Sequence, residues 1–210
     1  MINTTLPQSN TAPVCTTLGS GVWLAFRHIA GTSAPAVPPP AAGAHLLSVE
    51  FCRRGRHALP AGDYCTIAAD GHAAVSMTAA GADDYYPGAV YEGLQFWIDP
   101  DAQTDSGFLA LMGLDVHGII NYFCAGGPYY CPMGDELAAL VDELWREFDV
   151  SGYASPGELR YAVVRLLYML LQLPYADQMA WYPRAQVDLV RDAETCLLYT
   201  SPSPRDVEES

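Results

Sequence analysis

Residues 46–56 read LLSVEFCRRGR, residues 62–77 read GDYCTIAADGHAAVSM and residues 91–99 read YEGLQFWID. Around Val49 and Phe51 apolar and polar residues alternate, the pattern of a strand buried on one face. Tyr64-Cys65-Thr66-Ile67 and Ala74-Val75-Ser76-Met77 are short runs of the same kind, punctuated by Gly-Asp and Asp-Gly. Tyr91 to Ile98 places Tyr91, Phe96 and Trp97 beside Leu94 and Ile98, a strongly β-prone run. Four short strands at intervals of roughly ten residues predict a small antiparallel β-barrel or sandwich. Helical periods follow it, so the fold class is α+β, a small barrel followed by an α-helical region.

Outward from that stretch, Phe108 to Met112 reads as a short helix, and Asp115 is placed to cap a second one running to Phe123. From Asp135, Leu137, Leu140, Val141, Leu144, Trp145 and Phe148 fall at helical spacing with charged residues opposite. Ser155-Pro156-Gly157-Glu158 is a capping box with proline at the first helical position. Leu159, Val163, Leu166 and Leu170 of that helix match the preceding stripe, so the two helices pack antiparallel. Leu167 and Leu171 then point partly away and need another surface. Arg184 to Val190 starts a further amphipathic helix. On the N-terminal side, Val22 to Phe26 suits a first strand, Met1 to Pro13 is polar and loose, and Gly31 to Ala44 is a Pro/Ala/Gly connection.

The chain has 210 residues and a formal net charge of −14, with ten arginines and no lysine. That length allows one regulatory-sized domain with a sizeable core and is short for two. So acidic a surface repels phosphate backbones, which argues against nucleic-acid binding by these residues themselves. The N-terminus lacks the basic and apolar regions of a signal peptide, and the longest apolar run, Leu166 to Leu173, falls far short of a membrane span. A cytoplasmic location without membrane contact follows.

The six cysteines include no CxxC pair and no zinc-site spacing, and read as buried free thiols, although Cys124 and Cys131 are near enough in sequence to meet across a turn. No nucleophile elbow, phosphate loop or dinucleotide glycine pattern appears, so no catalytic residue, cofactor or metal ligand is assigned. His57 and His72 lie in turn-like contexts and read as surface or loop histidines. Asp83-Asp84 reads as an exposed turn. Arg53, Arg54 and Arg56 form the single basic cluster. One reading is recognition of an anionic or sugar ligand, or contact with a linker helix. The favoured one is a solvated strand end paired with nearby carboxylates.

Glu50-Phe51-Cys52-Arg53-Arg54-Gly55-Arg56, Gly62-Asp63-Tyr64 and the run Tyr91 to Asp99, in that order, resemble the N-terminal regulatory domain of AraC-type transcription regulators. The likeness extends to about Asp192, where WYPRAQVDLVRDAE is similar to the approach to a DNA-binding domain. The resemblance implies a cupin-like barrel, here without the HxH of metal-binding cupins. It implies a small-molecule effector and a homodimer, with DNA contacted only through a C-terminal helix-turn-helix domain that these residues lack. On that reading residues 1–44 are a flexible segment and linker, 45–100 the effector-binding barrel, 101–175 the dimerisation region and 176–195 the approach to the missing domain. The residues expected to line the pocket are Glu50, Arg56, Tyr64, Tyr91, Gln95 and Trp97; Leu167 and Leu171 are expected at the dimer contact. The alternatives are a small cupin-like enzyme and a standalone ligand-binding protein. CLLYTSPSPRD, near the end, resembles translated sequencing-adapter read-through, so residues 196–210 are expected to be an artefactual or disordered tail.

Overall fold

A computed structural model describes residues 15–30, 33–34, 45–79, 84–88, 90–151, 155–173 and 180–200. Its strands are β1 (Cys15–Gly19), β2 (Val22–Ala30), β3 (Ser33–Ala34), β4 (His45–Arg54), β5 (Arg56–Ala61), β6 (Tyr64–Ala69), β7 (His72–Ala79), β8 (Asp84–Tyr85) and β9 (Val90–Ile98). Two short helices follow, α1 (Phe108–Leu111) and α2 (Val116–Phe123), then β10 (Tyr129–Pro132), α3 (Gly134–Ser151), α4 (Pro156–Leu170), β11 (Tyr182–Pro183) and α5 (Arg184–Thr200). A six-stranded antiparallel sheet runs β1-β2-β9-β4-β7-β10, and a five-stranded one runs β11-β6-β5-β8-β3. The fold is thus α+β, a small β-sandwich with helices after it.

Alternation along the strands gives the six-stranded sheet two unlike faces. One carries Leu24 and Phe26 of β2, Leu47, Val49 and Phe51 of β4, Val75 of β7, and Leu94, Phe96 and Ile98 of β9. The apolar stripes of α2, α3 and α4 close over it through Ile119, Phe123, Leu137, Leu140, Leu166 and Leu170. Each such side chain contributes about 1.5–3 kcal/mol by leaving water, before the entropy cost of ordering it. Trp145 of α3 joins that layer against Phe26, ring centroids 6.0 Å apart, with the Arg53 guanidinium 5.5 Å above its ring. The other face carries Arg27, Ser48, Glu50, Tyr91 and Gln95 and looks toward the five-stranded sheet, whose His57 bonds Glu50. On the far side of that second sheet, Val187 of α5 packs with Ala58, Cys65 and Tyr85. The largest apolar cluster therefore lies between helices and sheet, and the space between the sheets holds the polar groups together with smaller apolar clusters such as Leu59, Ala68 and Ala74.

The chain crosses from one sheet to the other at Gly55, which separates β4 from β5 at φ +95°. A Cβ there would collide with the Val90 carbonyl oxygen, so no other residue fits the corner. Sequence patterning took this place for the end of a strand and missed β5, because Arg56 and Pro60 break the alternation. The expectation for the basic cluster is met at Arg53 and Arg54: Arg53 pairs with Glu92 at 2.5 Å and Asp142 at 2.7 Å, and Arg54 lies 3.8 Å from Glu92. β1 and β2 occupy residues 15–30, which the sequence reading had placed with the flexible N-terminal segment apart from a first strand at Val22 to Phe26. Much of the Pro/Ala/Gly connection and all of residues 1–13 lie outside the described residues.

The helical expectations are met at α1, α2, α3 and α4, and the capping box forms, Glu158 N–H donating to Ser155 Oγ at 3.3 Å and Ser155 N–H to Glu158 Oε2 at 2.7 Å. Asp115 stands at the N-cap of α2, but its side chain makes no capping bond. Leu167 requires correction: it is completely buried within the chain, in the cluster that joins helices and sheet, because the main apolar face of α4 is broad enough to include it. Leu171, at 37% exposure, alone faces outward of that pair. Helix α5 runs on to Thr200, beyond the expected break near Cys196, since Ala193, Glu194, Leu197 and Leu198 sustain helix propagation. All six cysteines are free, and those at 52, 65 and 131 are buried.

Candidate functional site

Glu50 is set at the middle of β4, flanked in register by Gln95 of β9 and Ala74 of β7. Its carboxylate accepts the Tyr91 hydroxyl at 2.6 Å on Oε1, and its Oε2 lies 2.6 Å from His57 Nδ1 of the opposite sheet. With a carboxylate on that side, Nδ1 is the ring nitrogen that carries the hydrogen. Glycine at 93 makes this geometry possible, since a Cβ there would run into the Tyr91 phenol. Two strands away, Arg27 Nη1 donates to Gln95 Oε1 at 2.6 Å, and Gln95 Nε2 donates to Ser48 Oγ at 2.9 Å. Every one of these groups is buried, Arg27 completely so. A charged side chain leaves water at high cost unless it is hydrogen-bonded and paired, which ties these residues to one another.

Aromatic rings pack around this polar cluster. Tyr86 lies parallel to the His57 imidazole, centroids 4.6 Å apart at 15°, and beside Tyr91 at 4.6 Å and 50°. The Arg27 guanidinium stands 5.2 Å from the Tyr86 ring centroid, a cation–π distance. Burial first, then the Glu50 carboxylate, hold the Tyr91 hydroxyl well above its ordinary value, so it stays a donor at any physiological pH. Burial also raises the Cys52 thiol, which packs with Ile29, Tyr86 and Tyr91 and is inert as a nucleophile. The set presents hydrogen-bonding groups and flat ring faces side by side. Among the described residues no three His, Cys, Asp or Glu side chains come together to hold a metal ion.

Four residues singled out from sequence lie on the face turned to the second sheet. Glu50, Tyr91 and Gln95 are brought together in the polar cluster, and Trp97 sits further along the same strand, with Ala25 and Leu46. Arg56 and Tyr64 are not in it. Arg56 borders a surface cleft of about 370 Å³ with Arg54, Asp70 and Glu194, and Tyr64 is 53% exposed at the β5–β6 turn. Sequence reasoning missed Arg27, Ser48, His57 and Tyr86. His57 is not the surface or loop histidine that its sequence context predicts: it is buried, because β5 begins directly after the Gly55 corner and carries it inward. The available signals were a lone arginine inside VWLAFRHIA and the i, i+2 pair Ser48 and Glu50.

No protein-family model matches this sequence, and no curated protein matches it. Among solved structures, the chain is similar to the crystal structure of the AraC-like transcriptional activator CuxR, with a TM-score of 0.45 and 12% sequence identity, over 93% of this chain and 67% of that one. Among the described residues no helix is long and apolar enough to cross a membrane.

Proposed function

We propose that this chain is the effector-sensing and dimerising part of an AraC-type transcription regulator, a cytoplasmic protein that meets DNA through a C-terminal domain outside these residues. The carrying observation is a pair of hydrogen-bonded polar sets side by side between two sheets, Glu50 with Tyr91 and His57, and Gln95 with Arg27 and Ser48, all buried. These buried polar groups stand on the face opposite the largest apolar cluster of the same sheet. A small molecule entering there exchanges hydrogen bonds with groups already oriented, which is how binding chambers achieve selectivity. Binding to one of two arrangements then shifts the population of the helices and, in a dimer, the spacing of two DNA-reading domains.

Thermal shift with a panel of sugars, amino acids and small aromatic compounds tests this reading. A ligand at a hundred times its Kd stabilises by about 2.7 kcal/mol, several degrees for a domain of this size. Gln95→Ala, which also takes an acceptor from Arg27, should abolish the shift in a chain that circular dichroism shows to be folded. A panel without a single Gln95-dependent binder would count against the proposal.

The buried Glu50–His57 pair favours one second reading, a small cupin-like enzyme using that pair for proton transfer. Turnover of a bound compound, lost in Glu50→Gln, would decide for it. Sensing predicts binding without turnover, and purified protein without stoichiometric iron, manganese or zinc.

A further inference from the structure

Tyr85 and Tyr86 are neighbours in the chain and face opposite ways. Tyr86 turns inward, completely buried, against His57, Tyr91 and Arg27. Tyr85 turns outward onto α5: its hydroxyl donates to Glu194 Oε2 at 2.8 Å, Arg191 stands 5.9 Å from its ring centroid, and the ring packs with Val187. Pro87 and Gly88, next in the chain, line the surface cleft that Glu194 also borders. One dipeptide thus touches both the buried polar cluster and the last helix.

We propose that Tyr86 occupies the place of a single-ring aromatic effector, and that its displacement is passed through Tyr85 to α5. The proposal rests on the sensing function above and names its ligand class. Tyr86 and Tyr91 already fill the space around His57, so a guest of ring size has to move one of them. Tyr91 belongs to β9, which is paired along both edges to β2 and β4. Tyr86 follows a two-residue strand held by Ser33 and Ala34 of β3 and by one β5 residue, Ala58. Tyr86 is therefore the ring that yields. What it leaves is a site shaped by one planar ring, with an imidazole parallel to that ring and a guanidinium near its centre. An aromatic guest restores both contacts, whereas a saturated sugar has no π face to offer the guanidinium. Glu50, Gln95 and Ser48 supply polar partners for ring substituents.

The test uses p-cresol, the tyrosine side chain as a free molecule, on the whole chain and on Tyr86→Ala, with circular dichroism to verify folding. The variant, its ring site vacated, should bind p-cresol at least about tenfold more tightly than the parent, which must first expel Tyr86. Amides of residues 187–197 should exchange with solvent deuterium faster in the variant, by about tenfold, with or without p-cresol. In the parent, saturating p-cresol should raise the same rates. Tyr85→Phe should bind p-cresol as the parent does and loosen α5 on its own. If Tyr86→Ala does not fold, Tyr86→Leu, which keeps apolar bulk without a ring, makes the same comparison. Equal p-cresol affinity in parent and variant, or α5 exchange indifferent to Tyr86, overturns the proposal. Gln95-dependent binding of a sugar or amino acid with no p-cresol binding overturns it and leaves the sensing function standing. Failure of every compound to bind the parent and the variant overturns both.

Discussion

Glu50 joins the two sheets: one oxygen holds the Tyr91 hydroxyl of its neighbouring strand, the other holds His57 across the gap. Removing one partner of a buried charge leaves the charge under-solvated, which costs about 1–3 kcal/mol. Tyr91→Phe should show that loss in denaturant titration at neutral pH. The same residue fixes a pH dependence. Burial and the Glu50 carboxylate raise the Tyr91 hydroxyl well above its ordinary value of 10, so the folded chain keeps a proton that the unfolded chain gives up. The contribution is complete below pH 10 and declines as pH climbs above it. Tyr85 is raised as well, by burial and its bond to Glu194, and adds to the decline. The stability of Tyr91→Phe should therefore fall less steeply in alkali than that of the parent; identical slopes would show that Tyr91 is not the group responsible.

The helix pair α3 and α4 shows what an element can reveal in sequence. Leu137, Leu140 and Val141 repeat at helical spacing and are buried as that spacing predicts. Leu140→Ala should cost about 2–5 kcal/mol, and Leu144→Ala less, because Leu144 is only partly buried. Leu167→Glu should unfold the chain, since it forces a carboxylate into the central cluster. Leu171→Glu should leave circular dichroism unchanged while weakening self-association in analytical ultracentrifugation. An unchanged sedimentation profile for a dimeric parent would place the contact elsewhere. Legibility followed regularity. Long periodic helices, and the alternating runs of β4 and β9, announced themselves, and alternation alone put Tyr91, Gln95 and Trp97 on one face. Alternation assigns a face and is silent on which strand lies opposite. His57 and Tyr86 meet Glu50 and Arg27 through pairings of one sheet against another, fixed by the corner at Gly55 and by the short β8, and neither leaves a periodic trace. β10, four residues long, was lost inside a region read as helical for the same reason.

Across the molecule, 24 acidic residues against ten arginines give a surface that repels a phosphate backbone. These 210 residues should show no sequence-dependent duplex binding in a gel shift at physiological salt, and sub-micromolar specific binding would contradict the proposal that DNA is met through another domain. The placement of the apolar core carries a further consequence. The leucine and phenylalanine side chains of the largest core cluster lie on the helix-covered face of the six-stranded sheet, and the buried polar cluster occupies the reverse of the same strands. Alternate positions of one strand thus answer to separate demands, one set to cohesion and the other to the polar cluster. Ser48, Gln95 and the small side chains Ala25 and Ala74 can be exchanged without touching a residue of that core. The scaffold is therefore suited to re-tooling: if the proposed sensing role holds, a library confined to the even register of β4 and the odd registers of β2 and β9 should yield binders of new small molecules on an unchanged frame.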